Sequence, residues 1–355
     1  MGTEAMDGKT FKAIRESHGA TQESWAVQIN SRSGKRHDKS RISRWESGSE
    51  PIPVELANTL LLDNMKYTSK DHATIVSTSL RKGGSGKTTI TAYLGYVLSR
   101  VRIDDRTTCR ILVIDADSQG NLSHACGISK EQIADMDTAG RSFYHVLTGK
   151  CKAADAVIPT SVDGMHIMPS SVSTAFAERE LLFREALEGI PANNALKDAL
   201  TPEFTSGFDF ILIDCAPTLG VTTLCPLVVS DYVLFAVQAE PYALTAMDHL
   251  AEIIGTIRKT ANPELRVLGV VPNMVTVRFE QDKLSMVEMA EKAAMIRRDM
   301  QSVGVPVFTA IPRSTNFARA AASNVILYQY DPAAPGIETF VEVAAALGVR
   351  TYLGD

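Results

Sequence analysis

The sequence is short of several things. Its five cysteines, Cys109, Cys126, Cys151, Cys215 and Cys225, form no C-x-x-C pair and no zinc spacing, so reduced, partly buried thiols are expected and no disulfide. The seven histidines, among them His124, His145 and His166, fall at no metal-ligand spacing. No run approaches the roughly 18 apolar residues of a membrane span. No apolar signal region opens the chain, and Met6 stands where a myristoylated Met-Gly start needs Ser or Thr. Past Ile337 the only basic residue is Arg350, which argues against an anchor on anionic lipid. A cytoplasmic protein with no membrane partner is expected. Internal repeats and low-complexity segments are absent too. A positive balance is also missing: with a formal net charge of −5, any contact with nucleic acid must come from a local patch.

Hydrophobic residues make up 45% of the chain and charged ones 22%, enough apolar material for a sizeable core. A length of 355 residues suits one large α/β domain with a small appendage. The first 70 residues are net basic and the remainder net acidic. Within the basic part, Arg32, Lys35, Arg36, Lys39, Arg41 and Arg44 face one acid, Asp38.

Residues 1–65 read as an all-α domain, with helices over Thr10 to Glu16, Gln22 to Ile29, Lys39 to Glu46 and Val54 to Leu62. Thr21 is placed as the N-cap of the second, and Gly48, Pro51 and Pro53 stop the third. Residues 66–72 are polar and suit a linker. From 73 to 355, apolar runs alternate with helical stretches: Ile75 to Leu80, Ile111 to Ile114, His166 to Pro169, Phe210 to Ile213, Tyr232 to Val237, Val267 to Val271 and Val307 to Ile311. Their continuous hydrophobicity predicts strands covered on both faces, hence a doubly wound, mostly parallel α/β sheet.

The most informative segment is Lys82-Gly83-Gly84-Ser85-Gly86-Lys87-Thr88-Thr89. It follows a predicted strand and opens a predicted helix, the context a phosphate loop requires. The glycines let backbone amides close on phosphate oxygens at a helix N-terminus. Lys87 reaches the β- and γ-phosphates, and Thr88 offers its hydroxyl to Mg²⁺. ATP and Mg²⁺ are therefore the expected cofactors. Lys82 is redundant for a nucleotide that Lys87 already neutralises, which points it at a partner's nucleotide. Two further strands end in acids. Asp115 and Asp117 follow Ile111 to Ile114, and Asp214 follows Phe210 to Ile213. Asp117 is placed to orient the attacking water and accept its proton, while Asp115 and Asp214 are the candidate metal ligands.

These residues resemble the deviant Walker family of ATPases, and within it the ParA partition ATPases. Weaker similarity runs through Met168-Pro169-Ser170-Ser171, Val271-Pro272-Asn273-Met274 and Ile311-Pro312-Arg313. The resemblance implies a P-loop NTPase fold and an ATP-dependent homodimer in which Lys82 contacts the opposite nucleotide. It also implies Asn273 on the adenine, Arg278 in non-specific DNA binding, and a ParB-like centromere-binding partner that stimulates hydrolysis. Ser118 and Ala216 depart from the proline that the family commonly has there. Association with the nucleoid follows from the same resemblance.

The segments Ile14 to Ala26 and Ile42 to Gly48 resemble the Cro/repressor helix-turn-helix. Ile42 and Trp45 face a small core, which turns Lys39, Ser40, Arg41 and Arg44 toward the major groove. Gln22 is placed to touch the DNA backbone. The connection Asn30 to Asp38 is longer than the usual tight turn. Operator binding and autorepression are expected of this domain. The alternative is an ATP-sensing transcriptional repressor in which hydrolysis is incidental.

Overall fold

The computed structural model describes residues 6–33, 36–80, 83–104, 107–218, 220–276, 280–300, 305–329 and 331–351. Lys82 and Arg278, like Lys35 of the basic run, lie outside the described residues.

Seven strands form one sheet: β1 (Thr74–Ser79), β2 (Ile111–Asp115), β3 (Ile158–Pro159), β4 (Met165–Met168), β5 (Phe210–Asp214), β6 (Tyr232–Gln238) and β7 (Arg266–Asn273). Their order is β3-β4-β2-β5-β1-β6-β7, and every pairing is parallel except β3 with β4. Within the continuous apolar runs the side chains still alternate. Ile111 and Val113 join one core cluster with Ile90, Leu94 and Phe340, whereas Leu112 and Ile114 join another with Leu196 and Cys225. Both faces are covered, as a parallel sheet requires. The five cysteines are free, four of them buried.

Two departures from the sequence-based expectation stand out. Val307 to Ile311 is not a strand. It touches β7 through the bridge Val270 to Val307 and through isolated hydrogen bonds such as Phe308 N to Val270 O at 2.9 Å. Pro306 and Pro312 flank it, and a residue without an N–H cannot continue a ladder. The two-residue β3 gave no periodic signal.

The N-terminal helices are α1 (Gly8–Ser17), α2 (Gln22–Ser33), α3 (Lys39–Glu46) and α4 (Val54–Asp63). Thr21 caps α2 by accepting from Ser24 N at 3.2 Å, and Asp38 caps α3 by accepting from Arg41 N at 2.8 Å. The long connection is partly absorbed by extra turns of α2. Asn30 closes the rest, donating to His37 O at 2.8 Å and accepting from His37 N at 2.6 Å. Trp25 and Trp45 anchor this module's core.

Residues 66–72 are not free-standing. Lys66 bridges to Arg102 and Arg350, Tyr67 packs on Phe210 with ring centroids 4.7 Å apart, and Ser69 donates to Asp209. Helix α4 belongs to two cores: Leu60 and Leu61 pack with Trp25, while Leu62, with Met65 just past the helix end, packs with Phe340 and Leu347. Asn58 Nδ2 also donates to Pro332 O at 2.6 Å.

Candidate active site

A cavity of about 630 Å³ opens beyond the C-terminal tips of the parallel strands, where an open α/β sheet binds its ligands. Residues 83–89 and Asp117 line it. The loop leads into helix α5 (Lys87–Ser99), whose N-cap is Gly86 at φ 88°. A Cβ there would fall 1.9 Å from Asn273 Nδ2, so both the backbone angle and the space demand glycine. Lys87 is buried, although it lines the cavity.

β2 and β5 pair in register with Asp115 opposite Asp214, both fully enclosed. Burial pushes the Asp214 carboxyl up to about 8, with the neighbouring Asp115 adding repulsion. Burial likewise raises Asp115 to about 6, against the opposing hydrogen bonds from Ser123. Thr88 Oγ1 donates to Asp214 Oδ2 at 2.6 Å. Asp214 Oδ1 is buried without a hydrogen-bond partner, a costly arrangement that a cation relieves.

Asp115 is tied into its own loop. Its Oδ1 accepts from Asp117 N at 3.2 Å, and its Oδ2 accepts from Ser123 N at 2.8 Å and Ser123 Oγ at 2.7 Å. Both oxygens are engaged with the following loop, so Asp115 braces the backbone that carries Asp117; like Asp214, it does not itself line the cavity. Asn273 is placed differently. It lies behind the loop, donating Nδ2 to Ser85 O at 3.0 Å and accepting from Met274 N at 2.9 Å. The far end of the cavity is instead walled by Tyr93, Phe317, Val325, Met274 and Asn324. Met274 and Asn324 hold positive φ angles of 57° and 54°. Sequence reasoning missed these residues, because only the positive φ of two side-chain-bearing positions marks them and no periodicity does.

The loop and Asp117 thus share one cavity, with the buried Asp214 tied to its wall through Thr88, and the family profile described as an AAA domain matches residues 73–267, more than half of the chain. The chain belongs to the ParA/Soj type of P-loop ATPases. It is 28% identical over 278 residues to the sporulation initiation inhibitor protein Soj of Bacillus subtilis, covering 76% of this chain and 96% of that protein. It is 31% identical over 271 residues to the chromosome-partitioning ATPase Soj of Thermus thermophilus, covering 76% and 93%. Among solved structures, cobyrinic acid a,c-diamide synthase from Mycobacterium smegmatis with bound ADP and magnesium superposes at a TM-score of 0.57 with 27% identity, over 71% of this chain and 91% of that one.

This ParA/Soj-type ATPase uses ATP with Mg²⁺. The residues present fit the ion: Thr88 and Asp214 supply oxygen donors, one of them orphaned. Among the described residues no cluster of three or more His, Cys, Asp or Glu side chains gathers as a metal site, which suits an ion that keeps several waters and takes few protein ligands. Bound there, Mg²⁺ would neutralise charge between the β- and γ-phosphates.

The raised carboxyls predict a pH dependence with a definite sign. A carboxyl raised in the folded state above its ordinary value of 3.8 binds a proton that the unfolded chain has released. Its stabilising contribution is complete below pH 3.8 and is lost as the pH climbs toward about 6 for Asp115 and about 8 for Asp214. Nucleotide-free protein should therefore melt at a lower temperature above pH 8 than below pH 6. Asp214→Asn should flatten that fall, as a thermal scan across pH would show.

In the N-terminal module, Lys39 and Ser40 are exposed at the start of α3. Arg41 and Arg44 follow, each about half exposed and each hydrogen-bonded to Glu50. Gln22 is not free either: its Nε2 donates to Glu46 Oε2 at 2.8 Å, and Glu46 in turn accepts from Arg15 Nε at 2.5 Å. Among the described residues no helix is long and apolar enough to cross a membrane.

Proposed function

We propose that the chain is a DNA-partition ATPase. ATP binding builds a homodimer in which Lys82 reaches the opposite nucleotide, and the joined surface binds DNA non-specifically with help from Arg278. Asp117-dependent hydrolysis, stimulated by a ParB-like centromere-binding protein, dissolves the dimer and releases DNA. The logic is linkage: a γ-phosphate contacted by both subunits favours the dimer only while it is present. The observation that carries this reading is the cavity shared by residues 83–89 and Asp117, with Asp214 hydrogen-bonded to Thr88 on its wall, in a chain whose relatives include chromosome-partitioning ATPases.

The N-terminal module adds operator binding and autorepression. Its support is the exposed α3, which presents Lys39, Ser40, Arg41 and Arg44 on a core closed by Ile42 and Trp45. The same face favours the second reading, a repressor that senses ATP and hydrolyses it incidentally.

Binding to random and upstream fragments with no nucleotide, ADP and ATP, across a salt series, separates the two. Partition predicts binding to random DNA that needs ATP and weakens steeply with salt. Operator-selective binding that tolerates ADP, without any ATP-dependent binding to random DNA, would leave only the repressor.

A further inference from the structure

The basic face of α3 contains one acid whose position ordinary surface charge does not explain. Glu50 Oε1 accepts from Arg41 Nε at 2.7 Å, and Glu50 Oε2 accepts from Arg44 Nε at 2.8 Å. One carboxylate thus bridges two arginines three residues apart on one helix face. The turn holds it there: Ser49 N and Glu50 N donate to Arg44 O at 3.0 and 3.3 Å, and the Oγ atoms of Ser47 and Ser49 reach the same carbonyl at 3.0 and 3.2 Å. Arg41 is fixed from a second side, its guanidinium 5.6 Å from the centroid of the Trp45 ring. The hydrogen bonds from Arg44 and Arg41 hold the Glu50 carboxyl below its ordinary value.

Both arginines use only Nε in these bonds, and their Nη groups donate to no other partner among the described residues. The Nη fork is the part of arginine that reads guanine O6 and N7 bidentately in the major groove. A long side chain loses rotamer freedom when it is ordered on a ligand, and here the Nε bonds to Glu50 hold both arginines in one orientation before any ligand arrives. A solvent-exposed ion pair contributes little to stability, so the consequence of this bridge is orientation. The same carboxylate repels phosphate, which weakens sequence-independent binding.

We propose that Glu50 is a positioning residue that sets the sequence selectivity of the N-terminal module, by presenting Arg41 and Arg44 as a fixed pair of forks while discouraging backbone-only contact. This inference rests on the DNA-reading role proposed above. It makes Glu50, an acid, a determinant of DNA recognition.

The test uses the full-length chain, a duplex that the wild-type protein selects from a randomised pool, and a scrambled duplex of the same composition. Glu50→Ala should lower the preference for the selected duplex by about tenfold, on the scale of one lost bidentate contact. Its affinity for the scrambled duplex should be equal or tighter, and its melting temperature close to wild type. Glu50→Gln, which keeps one acceptor oxygen, should fall between. If Glu50→Ala retains the wild-type preference, or tightens on both duplexes in equal measure, the carboxylate only covers the arginines and the inference is overturned. If the wild-type chain enriches no sequence from the pool, it is the DNA-reading role that fails.

Discussion

An Asp117→Ala variant should hydrolyse ATP about 100-fold more slowly than the parent while binding it with similar affinity, the range expected for losing a positioned proton acceptor. Asp117 is half-buried on the cavity wall, and its Oδ1 accepts only a local bond from Gln119 N at 3.0 Å. Removing it leaves no buried partner stranded, so folding should be unaffected. Its backbone is fixed by Asp115, which keeps the loop in place when the side chain is cut. Phosphate release measured beside calorimetric ATP affinity separates turnover from binding. In cells the variant should dimerise and hold DNA yet fail to segregate a plasmid. Unchanged turnover would mean that another group positions the water.

Gly86→Ala should be more damaging, because it strikes binding itself. Left-handed backbone at a non-glycine residue costs about 1–3 kcal/mol. The new methyl group would also overlap Asn273 Nδ2, forcing apart the brace between Asn273 and Ser85. A loss of ATP affinity of about 100-fold corresponds to roughly 2.7 kcal/mol and is the expected result by calorimetry. The double variant Gly86→Ala/Asn273→Ala should recover part of it, since it removes the overlap and leaves only the backbone term. A double variant no better than the single one would show that Asn273 bears no strain in the first.

The phosphate loop, the acids at strand ends and the helices α1 to α4 were legible in the sequence because each is a local pattern: glycine spacing, a buried run ending in a carboxylate, a cap followed by a periodic stripe. What escaped depended on partners distant in sequence. Asp115 and Asp214 look equivalent along the chain, each closing an apolar strand. They differ because Ser123 and Asp117 N take up the oxygens of one, while the other keeps an orphan beside Thr88. Asn273 was placed on the nucleotide, and nothing local reveals that its Nδ2 donates to a loop carbonyl 188 residues away in sequence. Val307 to Ile311 is as apolar as a strand and was read as one, but its prolines and its single bridge to β7 leave it as a strap. Arg41 and Arg44 read as free cations because Glu50 lies beyond the end of their helix, past a glycine turn.

Because α4 contributes Leu60 and Leu61 to one hydrophobic nucleus and Leu62 to the other, with Met65 following just past its end, no slack tether separates the two halves of the molecule. Helix Ile337–Ala346 packs on that shared helix, so a displacement of it would be felt by both nuclei at once.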